Sequence, residues 1–184
     1  MARTPSTMRE LGSPLPSFSL PDTVTGGVVT SSSLAGEVVV VAFLCNHCPF
    51  VKHLKSELAA FGRHCDSRGA RMVAISSNDV TTHPEDSPEL MKADAQAFGY
   101  TFPYLFDESQ DVAKAFDAAC TPDFFVFGRD GRLAYRGQFD DSRPGNGKPV
   151  TGVDLRAAVD ALLDGGRPSP DQKPSIGCNI KWRA

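Results

Sequence analysis

Residues 38–44 read VVVVAFL, and the chain passes from that run directly into CNHCP. A continuous β-branched and aromatic run marks a strand buried on both faces, and such strands belong to sheets covered by helices. From residue 49 the apolar spacing becomes helical. Phe50, Val51, Leu54, Leu58 and Phe61 form one stripe with Lys52, Lys55 and Glu57 opposite, which predicts a helix over 49–62. Residues 70–76, with Met72, Val73 and Ile75, return to strand. Strand, helix and strand in this order imply a parallel pair joined by a crossover helix.

The flanks extend this unit. Prolines bracket the short alternation Leu15, Phe18, Leu20, which fits an edge strand. Gly26-Gly27 is a turn signal, and residues 28–30 make the second strand of a hairpin. Ser87-Pro88 supplies an N-cap and an N1 proline for a helix with Leu90, Met91, Ala95 and Phe98 as its apolar stripe and Gly99 as its stop. Residues 102–106 read as extended and 109–116 as a short helix. Residues 123–127 and 133–138 flank Gly128-Arg-Asp-Gly131, a hairpin with Asp-Gly turn chemistry. Thr151 is expected to cap a last helix carrying Leu155, Val159, Leu162 and Leu163. The polar loop 140–149 reads as solvated. The expected organisation is a polar arm over 1–13, one α/β domain over 14–165 and a tail over 166–184. Ile180 and Trp182 are expected to dock that tail on the domain.

Composition removes several function classes. The formal charge of −3 and the absence of a polybasic run argue against nucleic acid and anionic membrane as partners. The longest apolar run, 38–45, is far short of the roughly 20 residues of a membrane helix. The first residues carry no apolar segment, so no secretory signal is expected and the cytoplasm is the expected compartment. Five cysteines is an odd number, and the chain is long enough to fold without staples. In a reducing compartment, closely spaced cysteines read as catalytic or metal-binding.

Cys45 and Cys48, separated by Asn46 and His47 and followed by Pro49, fall where the buried strand meets the helix. The i, i+3 spacing brings two sulfurs together, and a helix N-terminus favours a thiolate. A protonated His47 would favour it further. A low-pKa thiol beside a second thiol is the apparatus of thiol–disulfide exchange, the first cysteine attacking and the second resolving. Structural zinc wants four ligands, and the available candidates are His53, His64, Cys65 and Cys120. His53, His64 and Cys65 continue along a helix whose inward face Leu54, Leu58 and Phe61 already claim. Redox chemistry is therefore preferred, with no metal and no cofactor.

Thr121-Pro122 enters a strand downstream of this unit. It reads either as a plain strand edge or as a cis-proline that faces the cysteines and offers the residue-121 backbone to an extended substrate. Cys120 is either a second nearby thiol or a small buried residue. Cys178, in the tail sequence GCNIKW, reads first as part of an ordered tail and second as a further redox thiol. Cys65 reads as structural and His53 as a surface residue. Asn78 and Asp79 follow the carboxyl end of a parallel strand, where ligands commonly sit in α/β sheets, and could border the site or simply start a loop.

Taken together, PLPSFSLPD, SSLAG, LCNHCPFVKH, ISSND, CTPDFFVF and GCNIKW resemble the redoxin branch of the thioredoxin superfamily, over about residues 14–165. The closest likeness is to a peroxiredoxin-like group. The resemblance implies a three-layer thioredoxin-like α/β fold, a mixed central sheet with helices on both faces and an N-terminal β-hairpin extension. It assigns Cys45 as the attacking thiol, Cys48 as the resolving thiol and Pro122 as a cis-proline. A peroxiredoxin site would place its peroxidatic cysteine at Cys48, with a hydroxyl residue three positions earlier and a proline seven earlier. Here those positions hold Cys45 and Val41. Leu44 replaces the tryptophan usual before a thioredoxin pair, and no buried acidic partner is evident.

The expected function is thiol–disulfide exchange at Cys45/Cys48 on a protein or low-molecular-weight thiol substrate, with an unidentified electron donor, by a monomer or homodimer. Asn46, His47, Pro49, Thr121 and Pro122 are the supporting residues, and Cys120 and Cys178 the possible additional redox thiols. His47 is expected to make the pair more oxidising. The alternatives are a thiol peroxidase and a non-catalytic redoxin that binds metal or a partner.

Overall fold

The computed structural model describes residues 3–184; the first two residues of the expected arm lie outside it. Three short strands come first, β1 (Arg3–Pro5), β2 (Ser19–Pro21) and β3 (Val28–Thr30). β2 and β3 pair as the expected hairpin, with Leu20 opposite Val29. The strand–helix–strand unit follows as β4 (Val39–Phe43), α1 (Pro49–Lys52), α2 (Lys55–Arg68) and β5 (Arg71–Ser76). Next come α3 (Pro88–Phe98), β6 (Tyr104–Phe106), α4 (Asp111–Ala115) and the two-residue β7 (Cys120–Thr121). The hairpin β8 (Asp123–Phe127) and β9 (Leu133–Gly137), α5 (Val153–Leu163) and β10 (Ile176–Asn179) complete the chain.

The central sheet runs β6-β5-β4-β8-β9. β4 is parallel to β5, with Val41 opposite Val73, and antiparallel to β8, with Val41 opposite Phe125. Every residue of β4 is buried, as the valine run predicts. Its alternation feeds two cores. Val40, Ala42 and Leu44 join Leu58, Phe61 and Val159 on the face covered by α2, α3 and α5. Val39, Val41 and Phe43 join Phe18, Val112 and Phe116 on the face covered by α4 and the hairpin. Phe116 meets Phe43 at 5.3 Å and Phe125 at 5.5 Å, both edge to face. Each fully buried phenylalanine contributes about 1.5–3 kcal/mol by burial alone.

Four expectations need correction. The helix over 49–62 is two helices, interrupted at His53 and Leu54, and the second runs to Arg68. The stripe Val51, Leu54, Leu58, Phe61 stays buried across the interruption, but the buried face is wider than the stripe, and Lys55, assigned to the outer face, lies inward with Ala59 and Gly62. Its ammonium donates to Asp94 Oδ1 at 2.6 Å and to the carbonyl of Asn46 at 3.3 Å. Loop 140–149 is not simply solvated. Asp140 and Ser142 are buried, and Ser142 Oγ lies 2.7 Å from His53 Nε2, so His53 is half-buried. The N-cap of α5 is Gly152, one residue beyond Thr151. The Asp140 carboxylate reaches across the loop to accept the N–H groups of Thr151 and Gly152, each at 2.6 Å. In the tail, Ile180 docks but Trp182 stays 43% exposed.

Arm and tail meet in a second sheet, β1-β10-β7, entirely antiparallel. Arg3 stands opposite Cys178, and Cys178 opposite Thr121. Both ends of the chain therefore close on the loop that precedes Pro122.

Candidate active site

β4 ends at Phe43, and the Leu44 N–H still bonds the carbonyl of Ile75 at 2.9 Å. The chain then leaves the sheet with Cys45 at the strand's carboxyl end. Cys48 is the N-cap of α1 and Pro49 its N1 residue, where the missing N–H costs nothing. The Thr121–Pro122 peptide bond is cis, as the sharper sequence reading has it. Thr121 touches both cysteines. Its Oγ1 lies 3.2 Å from Cys45 Sγ, and its carbonyl oxygen lies 3.3 Å from Cys48 Sγ.

A third sulfur completes the cluster. Cys178 Sγ is 2.6 Å from Cys48 Sγ, and all three cysteines are at most 1% exposed. Interaction with the Cys45 thiol, and to a lesser extent with Cys178 and backbone N–H groups, lowers the pKa of Cys48 to about 5 against the opposition of burial. The same interaction with Cys48, together with burial, pushes Cys45 well above the ordinary thiol range. Burial, then the bond to Cys48, pushes Cys178 up to about 12. Of the three thiols, Cys48 is therefore the one most readily ionised. α1 has only four residues, so aligned peptide dipoles contribute little; specific hydrogen bonds favour ionisation of Cys48.

Asp86 is the residue that sequence reasoning missed. It is fully buried at the end of a 3-10 turn over Pro84–Asp86. Its Oδ1 accepts the N–H groups of Asn46 at 2.7 Å and His47 at 3.2 Å, and its Oδ2 accepts from Asn78 Nδ2 at 2.8 Å. The His47 ring does not lean on a sulfur. Its Nδ1 lies 2.6 Å from Asp86 Oδ2, and it stacks on His83 at 4.9 Å. Asn46 is held by Glu85 O at 2.9 Å and by the Tyr104 hydroxyl at 3.2 Å. Asn78 does border the site, and its Oδ1 also accepts the Lys181 N–H of the tail at 2.9 Å. The only sequence signal for Asp86 is an acidic residue just ahead of the Ser87-Pro88 helix start, a position that usually faces water.

The remaining cysteines stand apart. Cys120 is buried, with its sulfur 3.5 Å from the carbonyl of Pro122, and burial raises its pKa. Cys65 is buried in α2, which raises it to about 12 and supports the structural reading. Cys45 Sγ, a His47 ring nitrogen and an Asp86 oxygen lie within 4.8 Å of one another. That is three potential metal ligands, two of which already hydrogen-bond each other, and it falls short of a four-ligand structural zinc site.

Comparisons with known proteins agree with this architecture. The family profile described as AhpC/TSA matches residues 11–136. A search of the curated proteins gives no match. The chain is 53% identical to an uncharacterized conserved protein from Geobacillus kaustophilus, with a TM-score of 0.97 over 100% of this chain and 97% of the other. It is 51% identical to a hypothetical protein from Sinorhizobium meliloti, with a TM-score of 0.95 over 98% of this chain and 99% of the other. A thioredoxin-family thiol:disulfide interchange protein from Chlorobium tepidum shares the fold at 21% identity, with a TM-score of 0.65 over 84% of this chain and 98% of that one. The fold is thioredoxin-like.

Proposed function

The chain belongs to the AhpC/TSA family, and on that premise we propose that it is a thiol–disulfide oxidoreductase whose exchanging pair is Cys45 and Cys48. The observation that carries this reading is the placement of Cys45 at the end of β4 and Cys48 at the N-cap of α1, with both sulfurs against Thr121 of the cis Thr121–Pro122 bond. In this reading Cys48, whose pKa is the lowered one, attacks a substrate disulfide, and one substrate sulfur leaves as a thiolate. Cys45 then attacks the Cys48 sulfur of the mixed disulfide, releasing the second substrate thiolate and leaving a Cys45–Cys48 disulfide. This order is the reverse of the one the resemblance implies. Asn46, His47 and Asp86 fix the loop that carries the pair, and Thr121 orients both sulfurs.

The substrate is a protein or low-molecular-weight disulfide or thiol, and a separate thiol donor restores the pair. No helix among the described residues is long and apolar enough to cross a membrane. We place the reaction in the cytoplasm, on the sequence reading alone. The test is trapping of the mixed disulfide with oxidised glutathione. A variant carrying Cys45→Ser and Cys178→Ser should accumulate glutathione on Cys48, and Cys48→Ser should accumulate none on Cys45. Glutathione on Cys45 in the Cys48→Ser protein, with none on Cys48 in the first variant, would restore the opposite order. No adduct on either would end the reading.

Peroxide is the second candidate oxidant, favoured by the family and by the low pKa of Cys48. Against it, Cys45 stands where a peroxidatic site carries a hydroxyl. Stopped-flow reduction of hydrogen peroxide decides: a rate no better than that of free cysteine dismisses it.

A further inference from the structure

The backbone at residue 121, expected to receive an extended substrate, is already occupied by the chain's own tail. β10 lies antiparallel on β7, with Cys178 opposite Thr121 and Asn179 opposite Cys120. The approach is close. A Cβ on Gly177 would collide with the Thr121 carbonyl oxygen and stand 2.6 Å from its carbon, so only glycine lets the tail sit here.

Both sides of Cys178 are anchored. Ser175 Oγ donates to the carbonyl of Pro122 at 2.6 Å, and the Ser175 N–H bonds Ser6 Oγ at 2.9 Å. Beyond Cys178, the Lys181 carbonyl accepts from the Asp79 N–H at 2.9 Å and from Gln110 Nε2 at 2.8 Å. The strand between these anchors holds the Cys178 sulfur 2.6 Å from Cys48, about half an ångström beyond a disulfide bond length.

We propose that β10 is a built-in substrate strand and that Cys178 is a third exchanging thiol, which converts a Cys45–Cys48 disulfide into a Cys48–Cys178 disulfide. The step rests on the reading that Cys45 and Cys48 are the exchanging pair. The Cys178 thiol gives up its proton and attacks the Cys48 sulfur. The Cys45–Cys48 bond breaks, and Cys45 leaves with the electron pair as a thiolate, which takes up a proton. Nothing is oxidised or reduced overall, so no further reagent is required. The exchange moves the disulfide from within one loop to a bridge between that loop and the tail, and it pins β10 across residue 121. External peptides then gain that edge only when the bridge is reduced and the tail lifts.

The test compares wild type with Cys45→Ser, each equilibrated across a series of reduced and oxidised glutathione, quenched in acid, alkylated and digested with trypsin. Cys45 and Cys48 fall in peptide 10–52 and Cys178 in peptide 157–181, so the two disulfides are distinguished by mass. Wild type should give both a closed loop within 10–52 and a cross-link from 10–52 to 157–181. Cys45→Ser should give the cross-link alone, with loss of alkylation at Cys48 and Cys178 together. The wild-type cross-link is read without any substitution, so the result does not depend on the variant folding. If wild type closes only the loop, and Cys48 of the variant carries glutathione beside an alkylated Cys178, this inference fails while the Cys45/Cys48 reading stands. If wild type forms neither disulfide, both fail.

Discussion

Asp86 Oδ2 lies 2.6 Å from the Nδ1 of His47, and through that contact a buried carboxylate faces the loop that carries both cysteines. The negative charge of Asp86 adds to the bond with Cys48 and to burial in raising the Cys45 thiol, and His47 Nδ1 is one of the donors on that carboxylate. Asp86→Asn should lower the pKa of the Cys45 thiol and cost about 1–3 kcal/mol, because an amide cannot accept every donor that now converges on the carboxylate. His47→Ala should raise it, by leaving the carboxylate less compensated. Thiolate absorbance followed against pH reads both. An unchanged titration in His47→Ala would remove His47 from any part in setting thiol reactivity.

Gly177 makes the position of Cys178 depend on a missing side chain. A Cβ there would stand 2.6 Å from the Thr121 carbonyl carbon and 3.1 Å from Pro122 N, and neither backbone atom can yield as a side chain would. Gly177→Ala should therefore displace β10, at a cost of about 1–3 kcal/mol typical of overpacking. Alkylation of Cys178, now 1% exposed, should accelerate at least about tenfold, the effect of about 1.4 kcal/mol of easier opening. Peptide mapping of a timed iodoacetamide reaction measures it. Equal protection in variant and wild type would show that the tail can shift without releasing its cysteine.

Much of this was legible in the chain, and what was not has a physical reason. The valine run announced a strand buried on both faces because continuous apolarity has no other use at that length, and β4 is that strand. The residues alone leave Thr121-Pro122 open between a plain strand edge and a cis-proline facing the cysteines, because only the pairing of β4 with β8 brings the two strand ends together. Asp86 was hidden because its role is set by folding: a carboxylate in a polar loop reads as solvated until that loop is laid over the N–H groups of Asn46 and His47. Cys178 was underweighted for a similar reason. Its pairing with Thr121 spans most of the chain, and no local periodicity reports a contact of that range. Lys55 shows the limit of helical periodicity, since it flanks the Leu54–Leu58 stripe and is buried by its contact with Asp94 of α3, which no local spacing reports.

Asp123, the residue after the cis-proline, should make stability fall as pH rises. It is fully buried, and burial raises its carboxyl from the ordinary 3.8 to about 7, with the Ser6 hydroxyl at 2.7 Å opposing. A folded-state pKa above the unfolded value contributes stability that is complete below pH 3.8 and is lost as pH climbs through about 7. Between pH 5 and pH 8 the loss from this one group is about 2–3 kcal/mol. Asp123→Asn keeps an acceptor for Ser6 and removes the charge, so its stability should be flatter over the same interval. Urea unfolding of both proteins at the two pH values tests it. Parallel losses in wild type and variant would assign the pH dependence elsewhere.

Lys55 and Asp94 form an ion pair at 2.6 Å, with side chains only 6% and 16% exposed, and the same ammonium donates to the carbonyl of Asn46 within the cysteine loop. The pair joins α2 to α3 directly behind that loop. Removing one partner of a buried pair leaves the other charge uncompensated, which costs about 3–5 kcal/mol when both are fully enclosed. Asp94 keeps an edge in water, so Lys55→Met should cost about 2–3 kcal/mol, at the lower end or below that range. A second change, Asp94→Leu, should recover most of the loss, because an apolar pair of similar volume carries no desolvation penalty. What it should not recover is the hydrogen bond to Asn46 O, so the double variant should regain stability while its cysteine loop exchanges amide hydrogens faster than wild type. Denaturation midpoints and amide exchange of peptide 10–52 separate the two effects. A double variant no more stable than Lys55→Met would mean that the bond to the loop, and not the ion pair, holds α2 in place.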